Sequence, residues 1–184
     1  MLQKGTRAGF LGLALALSAM FTVAQDGQKV DARPEDVGSI DGIIKAFYDT
    51  ISGPAGQPRQ WDCDRTLYIR DVRFVSMSER NGKPVASVMD HQKYVAGTDP
   101  YFVKEGFFET ELHRQVTRFG NVAHVMSTYQ ARNRIDGPVI ARGVNSIQLY
   151  FDGSRWWIVS AAWDDERKNN PIPAEMLPSR SKSQ

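Results

Sequence analysis

The sequence predicts an α+β fold in which helices come first and a sheet comes last. Apolar side chains recur at three- and four-residue steps across residues 36–52, which is the spacing of one helix face. After Gly106 the apolar period becomes two, as in strands. Three tight-turn signals follow at even spacing: Gly120-Asn121, Asp136-Gly137 and Asp152-Gly153.

The first half of the domain carries three predicted helices. The first covers residues 36–52 and ends at Gly53-Pro54. A short second helix is predicted over residues 61–68. Asp90 is the predicted N-cap of the third, and Asp99-Pro100 begins its continuation to Lys104.

Six strands are predicted, with the last four forming three antiparallel hairpins. Two short strands flank the turn Gly82-Lys83-Pro84, and four long strands follow the third helix. The predicted strands cover residues 72–76, 85–89, 107–119, 122–134, 139–151 and 154–165.

The N-terminus has the pattern of a secretory signal peptide. Lys4 and Arg7 precede an apolar run over residues 8–21 and small residues up to Ala24. We therefore expect residues 1–24 to be removed and the protein to be exported, to a periplasm or outside the cell. An uncleaved membrane anchor is the alternative, although the run is short for a membrane span.

The chain beyond this leader divides into three parts. Residues 25–35 form a predicted flexible leader, residues 36–167 one domain and residues 168–184 a C-terminal tail. The formal net charge of +2 for the whole chain falls to about zero once Lys4 and Arg7 are removed. The composition therefore favours neither a nucleic-acid partner nor an anionic membrane surface.

Cys63 is the single cysteine, so the sequence predicts no disulfide framework despite the expected export. Asp62 and Asp64 flank it, and neighbouring carboxylates disfavour the reactive thiolate. We interpret Cys63 as a structural residue.

The element order, the stretch FETELHRQVTRFGNVAHVMSTY and the closing DGSRWWIVSAAW resemble the nuclear transport factor 2-like superfamily. Within it, the chain is similar to the SnoaL-like and ketosteroid-isomerase-like group, over residues 36–167. The resemblance implies an exported bacterial member shaped as a cone, with helices in the concave face of a strongly curved antiparallel sheet and a pocket inside. It also implies a homodimer through the convex face, and it leaves the activity open, because the family holds both enzymes and non-catalytic binders.

One departure from the family pattern concerns the catalytic carboxylate. Ketosteroid-isomerase-like members carry it near the end of the first strand, where this chain reads Phe74-Val-Ser-Met-Ser78. Glu79 lies just beyond. A proton-abstracting mechanism would therefore need another residue as its base.

The spacing of the histidines does not predict a metal site. With a two-residue turn at Gly120-Asn121, His113 faces Thr128 and His124 faces Thr117. His113 and His124 then lie about 13 Å apart along the strands, too far to share one ion. We expect His91 to be a solvated side chain at a helix start, and we predict neither a metal nor another cofactor.

Extending the same register across the other hairpins predicts a polar row in the pocket. His113, Thr128, Asn145 and Ser160 form this row, and the next row contains Gln115, Met126 and Ile147. Trp61 is expected to line the pocket from the helices. On this face we interpret Glu109, Arg132 and Asp164 as an ion-pair network at the rim. A longer turn at Asp152-Gly153-Ser154 would instead bring Trp157, Ala161 and Trp163 inside.

Two functions are consistent with this pocket. The first is an exported domain that binds a small apolar or partly polar molecule. The second is a cofactor-independent lyase or isomerase with His113 as general acid or base, since an imidazole titrates near neutral pH. Tyr48 and Asp64 are the other candidate catalytic residues. A purely structural polar layer is the alternative interpretation of His113.

Overall fold

The computed structural model describes residues 30–179. The predicted signal peptide and residues 25–29 of the predicted leader lie outside this range. The helices are α1 (Pro34–Val37), α2 (Ile40–Asp49), α3 (Trp61–Arg65) and α4 (His91–Glu105). The strands are β1 (Tyr68–Arg80), β2 (Lys83–Met89), β3 (Phe108–Phe119), β4 (Val122–Arg132), β5 (Val139–Phe151) and β6 (Trp156–Asp165). A 3-10 turn covers Ala174–Met176.

The six strands form one sheet in the order β2-β1-β6-β5-β4-β3. The predicted α+β fold is confirmed, with helix α2 packed inside the curved sheet. One detail differs from the expected all-antiparallel sheet, because β1 runs parallel to β6. No helix within residues 30–179 is long and apolar enough to cross a membrane.

The predicted first helix is split in two. Ser39 has an extended backbone (φ −143°, ψ 162°), and its side chain accepts a hydrogen bond from the Gly42 backbone N–H, so α2 starts there. A serine that caps a new helix interrupts the preceding one. Gly42 also permits the close packing of α1 and α2, because a Cβ there would lie 2.2 Å from the Glu35 carbonyl oxygen.

Helix α4 confirms the predicted N-cap, since Asp90 accepts a hydrogen bond of 2.8 Å from the Lys93 backbone N–H. The predicted continuation from Asp99-Pro100 to Lys104 is confirmed. Pro100 lies inside a continuous helix that ends at Gly106, which has a φ of 76°. The proline is accommodated without a second helix start.

The strands differ most from prediction at their first turn. Strand β1 is far longer than predicted, and β1 and β2 are joined by the two-residue turn Asn81-Gly82, with φ values of 54° and 71°. Asn-Gly is the sequence that such turns favour. The two predicted short strands therefore form one hairpin, in which residues 83–88 of β2 are exposed.

Two irregularities change which residues of β3 to β5 face the helices. The predicted pairing of His113 with Thr128 is confirmed, but Leu112 is an extra bulged residue next to it. Between β4 and β5 the predicted register is wrong by one residue, because Asn145 pairs with Ser127 and not Thr128. A six-residue loop over 133–138 replaces the expected two-residue turn, and Ile140 is an extra residue of β5 between the pairs Arg132–Val139 and Ala131–Ala141. The two changes together shift the register by one residue.

The last hairpin is also shifted. Phe151 pairs with Trp156, so four residues form its loop, and Val159 is an extra bulged residue between the pairs Gln148–Ser160 and Leu149–Ile158. Asn145 consequently pairs with Trp163, whereas Ser160 pairs with Gln148. The predicted pairing of Asn145 with Ser160 is therefore wrong, and Trp163 lies on the inner face, as a longer turn would require.

Part of the predicted C-terminal tail packs on the outer face of the sheet. Thr128 donates a hydrogen bond of 2.6 Å to the Met176 carbonyl, and the Gln115 side chain donates one of 2.9 Å to the Glu175 carbonyl. Residues 170–177 therefore cover the side of the sheet opposite to the helices.

Arg59 joins the loop after α2 to the end of α4. It is 6% exposed, and its guanidinium donates to the Gly53 carbonyl at 2.8 Å, the Gln57 carbonyl at 2.8 Å and the Phe102 carbonyl at 2.5 Å. The guanidinium thus satisfies several carbonyls that the surrounding protein shields from water.

Replacement of Arg59 by lysine should lower the free energy of unfolding by about 3 kcal/mol, because one ammonium cannot reach the same carbonyls. Urea denaturation of the purified protein measures this change. Arg80→Lys is the matched control, since Arg80 is exposed at the end of β1. Equal stabilities of the two variants would contradict the role assigned to Arg59.

Candidate functional site

A cavity of about 230 Å³ lies inside the cone, between helices α2 and α4 and the inner face of the sheet. Its walls are largely aromatic and apolar, and Glu109 and Asn145 are polar groups that reach it. The lining residues are Phe47, Tyr94, Thr98, Phe102, Phe107, Glu109, Tyr129, Ala131, Ala141, Asn145, Trp163 and Asp165.

Glu109 is the group of this cavity whose shifted pKa lies near neutral pH. Burial among apolar side chains raises the pKa of its carboxyl to about 8, and the nearby charge of Asp165 acts in the same direction. A hydrogen bond from Asn145 opposes the rise. Glu109 is therefore protonated at neutral pH and can donate a hydrogen bond or a proton.

Asn145 connects Glu109 to helix α2. Its Nδ2 lies 3.2 Å from Glu109 Oε1 and 3.2 Å from the Tyr48 hydroxyl. Asn145 is 3% exposed and Tyr48 is 4% exposed. Burial raises the pKa of Tyr48, so its hydroxyl keeps its proton.

The network continues to the surface through β3 and β4. The Tyr48 hydroxyl is 2.6 Å from Ser127 Oγ, and the Ser127 hydroxyl donates to Glu111 Oε1 at 2.5 Å. Glu111 is ion-paired with Arg114 at 2.5 Å. The sheet and α2 are thereby joined by a continuous set of buried hydrogen bonds.

Tyr129 closes the cavity on another side. Its hydroxyl donates a short hydrogen bond to Asp165, and burial together with that bond raises the pKa of Tyr129. Gly143 permits this contact, because a Cβ at that position would lie 2.4 Å from the Tyr129 hydroxyl oxygen.

Asp64 lies in a separate buried cluster. Its Oδ1 accepts hydrogen bonds from Thr50 at 2.9 Å and Tyr68 at 3.0 Å, and its Oδ2 is 2.8 Å from His91 Nε2. Asp64 is fully buried. The expectation of a solvated His91 is therefore wrong, since 14% of its side chain is exposed and its ring is paired with a carboxylate.

The predicted site residues are divided between the two faces of the sheet. Tyr48 on α2 contacts the inner face of the sheet, and Asn145 and Ile147 lie on that face, as expected. His113 pairs with Thr128 on the opposite face, because the Leu112 bulge reverses the alternation of β3. The predicted position of His113 in the pocket is therefore wrong. The register assigns the other predicted members of the polar rows to the same outer face: Gln115, Met126, Thr128 and Ser160.

Trp61 lies behind the cavity wall. Its ring stacks on Phe102 with centroids 6.3 Å apart, and its indole N–H donates to Asp99 at 2.6 Å. Trp61 supports a lining residue and is not itself among the lining residues of the cavity.

Glu109 is a functional candidate of the structure that the sequence predicts only as part of an ion-pair network at the rim. The alternation of β3 places it on the pocket face, but as a rim residue paired with Arg132. In the structure Arg132 donates to the Gly137 carbonyl instead. The aromatic walls also come from Tyr94 on α4 and Trp163 on β6. These residues lie on different elements, and the alternation within one strand does not predict that they meet.

A second cavity, of about 290 Å³, lies on the outer face beneath the C-terminal segment. Its carboxylates already have partners: Asp164 accepts from Arg167 at 2.6 Å, and Glu166 accepts from the Ile172 backbone N–H at 3.2 Å. The inner cavity is therefore the stronger candidate site. Between Val30 and Ser179, no group of three or more His, Cys, Asp or Glu side chains could hold a metal ion.

The raised pKa of Glu109 predicts a specific pH dependence of stability. The unfolded chain releases this proton near pH 4.5, whereas the folded protein keeps it up to about pH 8. The free energy of unfolding should therefore fall as pH rises through this window, by up to about 1.4 kcal/mol per pH unit. Denaturant titrations of the wild type and Glu109→Gln from pH 4 to 9 measure it. A difference between the two proteins that does not change with pH would contradict the prediction.

The sequence matches no protein-family model. It also matches no curated protein. Solved structures do resemble the fold. They include a protein of unknown function with a cystatin-like fold from Nostoc punctiforme, with a TM-score of 0.55 and 8% identity, over 76% of this chain and 97% of that chain.

Two further structures extend this similarity. The Kfla4162 protein from Kribbella flavida has a TM-score of 0.54 and 14% identity, over 71% of this chain and 90% of that chain. An NTF-2-like protein of unknown function from Silicibacter pomeroyi has a TM-score of 0.48 and 11% identity, over 70% and 94%. At such low identities the similarity concerns the fold alone. The expected α+β arrangement, with helices enclosed by a curved six-stranded sheet, is confirmed.

Proposed function

We propose that this domain binds a small, largely apolar and uncharged molecule inside the cone. The observation that carries the proposal is the cavity of about 230 Å³, which combines aromatic walls with the carboxyl of Glu109. An apolar pocket with a few convergent polar groups is typical of small-molecule sites. Glu109 and Asn145 would orient the ligand, and Tyr94 and Trp163 would contact its apolar part.

The size and polarity of the cavity restrict the ligand. Pockets for drug-sized ligands measure about 300–1,000 Å³, whereas an apolar cavity of about 150 Å³ holds benzene. A ligand of one ring with a short substituent therefore suits this volume. An anionic ligand would lose its hydration without gaining an ion pair at the protonated Glu109 or at Asp165, which disfavours it.

Acid–base catalysis is a second candidate, which the pKa of Glu109 favours. A general acid or base works best with a pKa near the working pH, and the carboxyl of Glu109 has a pKa of about 8. In a cofactor-independent lyase or isomerase, Glu109 would take the role that the sequence assigns to His113. The reaction would be proton transfer to or from the bound ligand.

Glu109→Gln separates these two functions, because the amide keeps the shape and loses the titrating proton. If the domain is a catalyst, turnover of the bound compound should fall about 10²- to 10⁴-fold, with binding changed only a few-fold. His113→Ala is the control, since His113 is on the outer face, and it should leave turnover unchanged. Wild-type turnover in Glu109→Gln would exclude Glu109 as the acid or base.

Export and dimerisation belong to the same proposal. The pattern of residues 1–24 supports export, to a periplasm or the extracellular space. The resemblance supports a homodimer through the convex sheet face, beside the area that residues 170–177 cover. The composition supports neither nucleic acid nor, after cleavage of the leader, a membrane as a partner.

Native mass spectrometry of the protein from an exporting host tests these points together. We expect a chain that starts at Gln25, a dimer at tens of micromolar, and a small molecule released on denaturation. Ala141→Phe fills the cavity and should abolish ligand retention, whereas Ala86→Phe, on the exposed strand β2, should not. Equal retention by both variants would place the ligand elsewhere, and a monomer alone would contradict the dimer.

A further inference from the structure

The buried network that starts at Glu109 ends in a charged pair. Five hydrogen-bonding steps connect the cavity to Arg114, whose guanidinium contacts Glu111 on one side and Asp41 of helix α2 at 2.7 Å on the other. Ser127 is fully buried and Tyr48 and Asn145 are nearly so. Because these three groups are shielded from water, their hydrogen-bond directions depend on one another.

The direction of each bond follows from the charged end. The Glu111 carboxylate, which is paired with Arg114, offers only acceptor oxygens, so the Ser127 hydroxyl has to donate to it. A hydroxyl has one proton, and Ser127 Oγ must then accept from its other neighbour. The Tyr48 hydroxyl, 2.6 Å away, is therefore the donor to Ser127.

The same reasoning reaches the cavity. Since Tyr48 uses its proton toward Ser127, its oxygen can only accept, and the Asn145 side chain has to present its amide N–H₂. The second proton of that N–H₂ is directed at Glu109 Oε1. Oε1 is thus the accepting oxygen of the carboxyl, and the carboxyl proton resides on Oε2.

We propose that the Glu111–Arg114 ion pair sets the polarity of the ligand site, so that Glu109 donates a hydrogen bond and the ligand presents an acceptor, such as a ketone or ester carbonyl. This inference rests on the proposed binding of a small molecule in the cone. Glu111, Ser127 and Tyr48 are positioning residues, because they act on the ligand through Asn145 and Glu109.

Replacement of Glu111 by glutamine removes the constraint. A glutamine can donate to Ser127, and the whole network can then reverse. Tyr48 would donate to the Asn145 carbonyl oxygen, and the Glu109 hydroxyl could turn to the same oxygen. The proton of Glu109 would then no longer be directed at the ligand.

Acetophenone and α-methylstyrene are the probes. They have nearly the same shape, but a carbonyl in the first replaces a methylidene group in the second, so their affinity ratio isolates the acceptor. Titration calorimetry at pH 6 should give roughly tenfold tighter binding of acetophenone to the wild type. In Glu111→Gln the ratio should fall to about one, because Glu109 no longer donates a hydrogen bond to the carbonyl of acetophenone. A change in packing alone would affect both probes equally and would leave the ratio unchanged.

Ser127→Ala is a second variant, which interrupts the network without changing a charge, and it should also lower the ratio. Glu79→Gln is the matched control, because Glu79 is another partly exposed glutamate beside an arginine, 4.0 Å from Arg167 and far from the cavity. It should keep the wild-type ratio. Thermal melting of each variant establishes that it is folded.

The outcomes separate this inference from the proposed function. If the wild type binds neither probe, the proposed small-molecule site fails, and this inference fails with it. If the wild type binds both probes equally, or if the ratio in Glu111→Gln and Ser127→Ala equals that of the wild type, the inference is overturned while the binding site stands.

Discussion

The hydrogen bond between Tyr48 on α2 and Ser127 on β4 is the contact on which the interior depends. Both residues are almost fully buried, and a buried hydroxyl without a partner costs about 1–3 kcal/mol. The helix and the sheet therefore pack in the arrangement that joins these two groups. That arrangement turns Ser127, Tyr129 and Val125 toward the helices and leaves Thr128 and His124 on the outer face.

The same burial that stabilises the core gives Glu109 its chemical character. The aromatic walls around the cavity remove water from the carboxyl and raise its pKa to about 8. Such a carboxyl costs folding free energy at high pH, because the unfolded chain would release the proton. Proteins retain costly buried polar groups where these serve a site, which is why Glu109 outweighs the better-solvated acidic residues as a functional candidate.

The outer face shows how a polar row can serve structure. The hydroxyl of Thr128 and the amide of Gln115 donate to backbone carbonyls of the C-terminal segment, and His124 Nε2 lies 2.9 Å from Ser146 Oγ. These side chains have partners within the fold. In sequence they are indistinguishable from pocket residues, because alternation defines two faces of a strand but does not say which one faces the helices.

The sequence by itself determined the fold class, the order of the helices and strands, the N-cap at Asp90 and the pairing of His113 with Thr128. Each follows from local periodicity, turn residues or capping, which are properties of neighbouring positions. Only the tertiary structure decided the inner face, because the Leu112 bulge in β3 and the Ile140 bulge in β5 shift the register by single residues. It also decided the cavity and the pKa of Glu109, since both depend on side chains that are distant in sequence and meet only when the sheet closes around α2 and α4.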